Sequence, residues 1–131
     1  MRGNHDTFDV EGQESRSNFF NRFSVQGRER HPRSYADSLQ VRGMTINYIG
    51  IDMTPVPGFK QPYNFMGYFT QKEEEKVTSL VKNLGPSDLN VFFGHYPTSF
   101  VGGPGGSGPG SLRDLMKDHV YLCGHLHTLF R

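Results

Sequence analysis

Histidines that follow a glycine at the end of an apolar run are the residues of this sequence best placed to do chemistry. His95 comes directly after one such run, and His125 and His127 come after another. The alternation His-Leu-His puts the last two side chains on the same side of an extended chain, within reach of one ion or of two neighbouring ions. Neutral imidazole is the commonest metal ligand, and an adjacent glycine lets an ion or a backbone approach closely. Each histidine alone is more often structural, so it is the joint pattern that indicates a metal site.

A fourth candidate lies near the amino terminus, in the turn-forming run Gly3-Asn4-His5-Asp6. The neutral amide oxygen of Asn4 suits zinc, manganese or iron in a mixed shell of nitrogen and oxygen ligands. His31 and His119 have no comparable setting. The candidate chemistry is therefore concentrated at the amino terminus and after the two apolar runs.

The elements that must position these residues alternate between strand and helix. Residues 34–41 and 44–52 read as two strands joined by the tight turn Arg42-Gly43, with the second strand buried. Thr70 and Glu73 form a capping-box pattern that begins a helix ending at Leu84. Further elements are a helix within residues 12–23, a strand at 89–93, a helix at 111–117 and a strand at 120–123. This alternation predicts an α/β layered architecture, in which ligands bind beyond the carboxyl ends of the strands.

Three other features are given structural interpretations. Phe19, Phe20 and Phe23 are spaced for one face of a short helix and are expected to pack into the core. The single Cys123 cannot form an internal disulfide and is expected to be a small buried apolar residue. Residues 55–67 are predicted to form a loop pinned by aromatic packing, and the glycine-rich residues 102–110 a mobile loop.

Length and charge narrow the class of protein. The chain has 131 residues, which suits one domain or a piece of a larger one. It has 14 Lys and Arg against 13 Asp and Glu, a net charge of +1, and its longest run of like charge is Glu73-Glu74-Glu75. A nucleic-acid partner or an anionic membrane surface is therefore not indicated. No apolar run reaches the roughly 18 residues of a membrane span, and the amino terminus lacks a signal-peptide core.

Three short motifs, taken in order, resemble a known family. Gly3-Asn4-His5-Asp6, Gly94-His95-Tyr96-Pro97 and Gly124-His125-Leu126-His127 are similar to the last three sequence blocks of the calcineurin-like metallophosphoesterases. Residues 62–67 and 121–129 resemble the transmembrane protein 62 group, whose phosphoesterase domain is attached to membrane-spanning helices. The resemblance implies that residues 1–131 form an incomplete calcineurin-like fold, a partial layered β-sandwich flanked by helices.

The resemblance also assigns roles to particular residues. It implies four metal ligands divided between two ions: Asn4, His95 and His125 for one, and His127 for the other. In the complete domain the two divalent ions, manganese, iron or zinc, activate a water that attacks the phosphorus of a phosphoester. His5 would protonate or stabilise the leaving alkoxide and would be oriented by Asp6.

The family pattern also raises an expectation about what this chain lacks. Two further blocks, an Asp-X-His and a Gly-Asp, are expected before Gly3, and they would supply the aspartate that bridges both ions. We therefore expect this chain to hold at most one ion weakly and to be inactive or weakly active by itself. Asp52 is interpreted as a polar strand end, with a role as metal ligand as the less favoured alternative.

Two other classes of protein stay open at this point. The chain could be a non-catalytic metal-binding or protein-interaction module derived from the same fold. It could also be a relative of the protein phosphatases, since Arg2-Gly3-Asn4-His5 suits that branch too. For an enzyme, the partner is a phosphoester substrate of unidentified structure. Association with a membrane would come only through segments outside this chain, and no residue indicates a location in the cell.

Overall fold

A computed structural model describes residues 1–30, 33–58, 60, 64–104 and 111–127 of the chain. Several sequence-based expectations lie outside these residues. They concern His31, parts of the predicted loops at 55–67 and 102–110, and four motif residues, Pro62, Tyr63, Thr128 and Leu129. Among the described residues, no helix is both long enough and apolar enough to cross a membrane.

Strands and helices alternate along the described chain, as predicted. The helices are α1 (Phe19–Phe23), α2 (Gln71–Leu84) and α3 (Leu112–Leu115), and the strands are β1 (Tyr35–Val41), β2 (Met44–Ile51), β3 (Gly67–Tyr68), β4 (Leu89–Gly94), β5 (Val101–Gly102) and β6 (Val120–Leu122). Short 3₁₀ turns cover Asn4–Thr7 and Thr98–Phe100, and a π-helical turn covers Gln26–Arg30. The predicted α/β class is confirmed.

Four of the strands form one sheet in the order β1-β2-β4-β6, and β3 and β5 form a second, two-stranded sheet. β1 and β2 are antiparallel, whereas β4 runs parallel to both of its neighbours, β2 and β6. The parallel arrangement matters for the site, because the carboxyl ends of β2, β4 and β6 then lie along one edge of the sheet.

The β1–β2 hairpin forms where the sequence predicts it. Val41 pairs with Met44, so Arg42 and Gly43 are the two residues of the turn. Their φ angles are 50° and 84°. Two-residue turns of this kind need positive φ at both positions, which glycine adopts without strain.

Helix α2 also begins and ends at the predicted residues. The Thr70 side chain accepts a hydrogen bond from the Glu73 N–H at 3.1 Å, and Gly85, with a φ of 77°, ends the helix. Val77 is fully buried in the face of α2 that contacts the first two strands. Burial of a side chain of this size contributes about 1.5–3 kcal/mol.

The core lies between the four-stranded sheet and the elements that cover it. Its buried members come from β2, β4, α2, α3 and the segments that follow the strands and α3: Ile49, Ile51, Met53, Phe69, Val77, Phe92, Tyr96, Leu112 and Met116. Burial of β2 is confirmed for its carboxyl-terminal half, whereas Met44 at its start is exposed. The buried half of β2 is thus the half that ends at the edge of the sheet where β4 leads into Gly94-His95.

Two expectations about burial are wrong. Phe19 and Phe23 are 61% and 67% exposed, because α1 has little more than one turn and their rings stack on each other at the surface, 6.0 Å apart. Cys123 is exposed because it follows the edge strand β6, in which Tyr121 faces inward and the neighbouring Leu122 is 57% exposed. An apolar run on an edge strand is only half covered.

Candidate functional site

The two Gly-His motifs meet because they follow neighbouring parallel strands. His95 comes directly after β4, and His125 follows β6 by three residues. The Gly124 N–H donates a hydrogen bond to the His95 carbonyl at 3.2 Å, which joins the two segments beyond the strand ends. Both imidazoles therefore lie at the edge of the sheet where the sequence predicts a ligand site.

The third segment of the site is the 3₁₀ turn Asn4–Thr7. The Gly3 N–H donates to the Asp6 carboxylate at 2.8 Å, and the Asp6 N–H donates back to the Gly3 carbonyl at 3.1 Å. Asn4 is buried in this turn. Gly3 lies against the ring of His95, and a Cβ at this position would be 3.0 Å from two ring atoms. A side chain at this position would therefore press on the imidazole and displace it by a few tenths of an ångström.

Three donor atoms converge at this place. His95 Nε2 lies 2.8 Å from Asn4 Oδ1 and 2.9 Å from His125 Nδ1. An imidazole nitrogen carries either one proton or one lone pair in the ring plane, so His95 Nε2 cannot form two ordinary hydrogen bonds at once. In the tautomers that carry the proton on His95 Nδ1 and His125 Nε2, the three atoms present convergent lone pairs, and that is the arrangement that a cation satisfies.

The spacing and chemistry of these atoms fit a divalent ion. Metal bonds of about 2.0–2.2 Å to nitrogen and oxygen place neighbouring donor atoms about 3 Å apart. The other ring nitrogen of His125, Nε2, is buried and has no partner in hydrogen-bond geometry among the described residues. Within the described part of the chain, no three histidine, cysteine or carboxylate side chains are grouped to hold an ion. The third donor beside His95 and His125 is instead the Asn4 amide.

The remaining predicted site residues line the same cavity. Its volume is about 490 Å³, and its lining is Met1, Gly3, Asn4, His5, Asp6, Phe8, Asn64, Phe65, His95, His125 and His127. His5 and His127 are exposed, and His127 has a positive φ of 48°. The Asp6 carboxylate is hydrogen-bonded to the Gly3 backbone, so its predicted orientation of His5 stays a prediction. His119 lies elsewhere, against Phe92.

Burial and mutual proximity keep the two central imidazoles neutral. The pKa of His95 is lowered to about 4, chiefly by burial and then by the neighbouring His125, against a smaller opposing effect of Asp6. Burial also lowers the pKa of His125, against an opposing effect of the Phe65 backbone. Because both pKa values are lowered, both rings are neutral at neutral pH. Neutral imidazole is the form that binds metal ions.

The lowered pKa of His95 predicts an acid-sensitive fold. Between about pH 6.5 and 4, the unfolded chain binds a proton at this residue that the folded chain excludes. The free energy of unfolding therefore has its full value above about pH 6.5 and decreases as the pH falls towards 4, because protonation of His95 favours the unfolded chain. Urea denaturation in the presence of a chelator, at several pH values, should show a smaller acid-induced loss for His95→Gln than for the unsubstituted chain. Parallel curves for the two proteins would contradict this explanation.

Two structural partners of the site were not identified from the sequence. Asn64 is buried and donates from Nδ2 to the Asn4 carbonyl at 2.6 Å, whereas the sequence indicates it only as a member of the family-like run 62–67. Asp52 does not line the cavity and is ion-paired with Arg2, the residue before Gly3. The interpretation of Asp52 as a polar residue at a strand end is confirmed, and the pair carries no local sequence signal because its members lie 50 residues apart.

Comparisons with known proteins point in the same direction as the geometry. The model of the calcineurin-like phosphoesterase family matches residues 1–129. The chain is 33% identical to Transmembrane protein 62 of Mus musculus over 132 residues, which is 98% of this chain and 19% of that protein. It is 32% identical over 141 residues to the Arabidopsis thaliana protein At3g03305, which is named as a metallophosphoesterase, covering 99% of this chain and 18% of that protein. The chain thus spans about a fifth of the length of these curated relatives. No solved structure matches it.

Proposed function

Since the chain belongs to the calcineurin-like phosphoesterase family, whose members generally use divalent metals, we propose that it supplies part of a metal-dependent site for phosphoester hydrolysis. In this proposal Asn4, His95 and His125 hold one divalent ion, and His127 contributes to a second. The substrate is a phosphoester, and manganese, iron and zinc all suit the ligand types.

One observation carries the proposal. Asn4 Oδ1 and His125 Nδ1 lie 2.8 and 2.9 Å from the same nitrogen, His95 Nε2, at the carboxyl edge of parallel strands. The three residues come from segments 91 and 30 positions apart, so local structure does not account for their convergence. When the imidazole protons lie on the other ring nitrogens, these three part-buried atoms present lone pairs to one another, which suits a ligand set rather than a hydrogen-bond network.

The residues around the ligands would bind and orient the substrate. Divalent ions bound by these ligands would supply the polarisation of phosphoryl oxygens and a lowered pKa of bound water. His5 lies on the wall of the same cavity and is exposed, so its imidazole can approach the ester oxygen that leaves and donate a proton to it. Asp6 would act indirectly, by holding the turn that presents Asn4 and His5.

We infer that this chain by itself is inactive or only weakly active in phosphoester hydrolysis. The second ion would have only His127 from the described cavity wall, and the one carboxylate on that wall, Asp6, is already hydrogen-bonded to Gly3. A site that holds at most one ion, and holds it weakly, lacks half of the clamp that stabilises in-line displacement. Weak activity would not distinguish the enzyme from a non-catalytic metal-binding module, so metal binding is the more direct measurement.

A titration with Mn²⁺ and Zn²⁺ tests the proposal. Calorimetry on the chelator-treated chain should show saturable binding of about one ion per chain, because three neutral donors form one site. Hydrolysis of bis(4-nitrophenyl) phosphate should stay slow with either metal. Absence of saturable binding would overturn the proposed site, and rapid metal-dependent hydrolysis would overturn only the inference of weak activity.

A further inference from the structure

Asn64 makes an unusual contact for a residue outside the ligand set. Its side chain is 1% exposed, and Nδ2 donates to the backbone carbonyl of Asn4 at 2.6 Å. The bond joins positions 60 apart in the chain, and it contacts the residue whose side chain faces His95. Asn64 thus holds the backbone from which one donor atom of the site projects.

The backbone of Asn64 is hydrogen-bonded to the segment that carries His95. The Tyr96 hydroxyl donates to the Asn64 carbonyl at 3.2 Å, and Tyr96 is the residue after His95. The Tyr121 hydroxyl in turn donates to the Tyr96 carbonyl at 2.6 Å. Burial raises the pKa of both tyrosines, so each stays a neutral donor at working pH. The network therefore runs from β6 through the segment after β4 to the amino-terminal turn.

The next residue, Phe65, contacts the segment that carries His125. Its ring lies 4.6 Å from that of His125, centroid to centroid, and 5.3 Å from that of Phe100. Residues 64 and 65 therefore contact the Asn4, His95 and His125 segments together. A short segment with polar contacts to two donor segments and a ring against the third restricts the relative movement of all three.

We propose that Asn64 is a positioning residue for the metal site, which it serves by holding Asn4 Oδ1 in line with the two imidazoles. The inference rests on the proposed function above. Thr7 Oγ1 also donates to the Asn4 carbonyl, at 3.0 Å, so the turn keeps one hydrogen bond when Asn64 is lost. The expected consequence of its loss is a misplaced ligand in a folded protein.

Asn64→Ala should weaken binding of Mn²⁺ and Co²⁺ about 10- to 100-fold, the usual effect of losing an outer-sphere partner. The ligand-field spectrum of the Co²⁺-saturated variant should also differ from that of the unsubstituted chain, because one donor is displaced. Tyr96→Phe removes only the hydroxyl that donates to the Asn64 carbonyl, and it should weaken binding about 2- to 10-fold. If Asn64→Ala does not fold, the metal affinity of Tyr96→Phe tests the positioning role instead.

Two control variants separate positioning from stability. Asn83→Ala makes the same chemical change at an exposed position of α2 and should leave metal affinity unchanged. Val81→Ala removes methyl groups that pack against the core and do not line the ligand cavity, so it should lower stability without changing affinity or the Co²⁺ spectrum.

The outcomes distinguish the two proposals. If the unsubstituted chain binds metal and the Asn64 and Tyr96 variants bind it equally well with unchanged spectra, the positioning role is overturned and the proposed site stands. If Val81→Ala weakens binding as much as Asn64→Ala does, general destabilisation explains the effect and the positioning role is again overturned. If the unsubstituted chain binds no metal, the proposed function fails, and the role of Asn64 fails with it.

Discussion

Replacement of Asp52 by alanine should lower the free energy of unfolding by about 3–5 kcal/mol, the usual cost of removing one partner from a buried ion pair. Asp52 and Arg2 are each 1% exposed, and Oδ2 of the aspartate accepts from Nη2 of the arginine at 2.5 Å. The other carboxylate oxygen accepts from the Thr54 N–H at 2.9 Å, and Arg33 Nε lies 3.6 Å from Oδ2. Without Asp52, the guanidinium of Arg2 would stay buried without its counter-ion.

Replacement of Asp52 should also lower the metal affinity of the site, because Arg2 directly precedes Gly3 and Asn4. Urea denaturation monitored by circular dichroism gives the stability, and the metal titration gives the affinity of the same variant. Glu11→Ala removes an exposed carboxylate and should change stability by no more than about 0.5 kcal/mol.

A double variant tests whether the buried charge causes the loss. Arg2→Met combined with Asp52→Ala leaves no unpaired charge, so it should be less destabilised than the sum of the two single variants. Additive losses would show that packing, rather than the ion pair, accounts for the stability.

His95→Ala should abolish measurable metal binding. His95 Nε2 is the atom that both other donors face, at 2.8 and 2.9 Å, so its removal leaves two donors that have lost their common neighbour. Loss of one of three ligands leaves an amide oxygen and a single imidazole, which is too weak a set for a divalent ion at micromolar concentration. Calorimetry with Mn²⁺ and Zn²⁺ on the chelator-treated variant makes the measurement.

His119→Ala is the matched control, because it removes an imidazole that lies against Phe92 and outside the cavity. It should bind metal like the unsubstituted chain. Equal affinity of the His95 and His119 variants would mean that the bound ions are held elsewhere, and the proposed ligand set would have to be abandoned.

Local sequence was sufficient for most of the fold. Arg42-Gly43 predicts the hairpin because positive φ at a two-residue turn is a property of the turn itself. Thr70 and Glu73 predict the start of α2 because a cap is satisfied within one helical turn. The family resemblance that was inferred from three motifs is confirmed, since the family model matches residues 1–129.

Predictions that depended on how far a strand or helix is covered were less successful. Cys123 is exposed because β6 is an edge strand, and Phe19 and Phe23 are exposed because α1 is too short to bury them. The order of strands in a sheet is set by contacts between distant segments. An apolar run therefore does not reveal by itself whether both of its faces will be covered.

By itself, the sequence determined the candidate donors, which are His95, His125 and His127 beyond the ends of two strands and Asn4 in the amino-terminal turn. Only the tertiary structure decided that three of those donors meet within hydrogen-bond distance, that Asn64 holds the turn carrying Asn4, and that Arg2 is neutralised by Asp52. The physical reason is how far apart in the sequence the contacting residues lie. Turns and caps are satisfied by neighbouring residues, whereas these contacts join residues 30 to 91 positions apart and exist only once the sheet has formed.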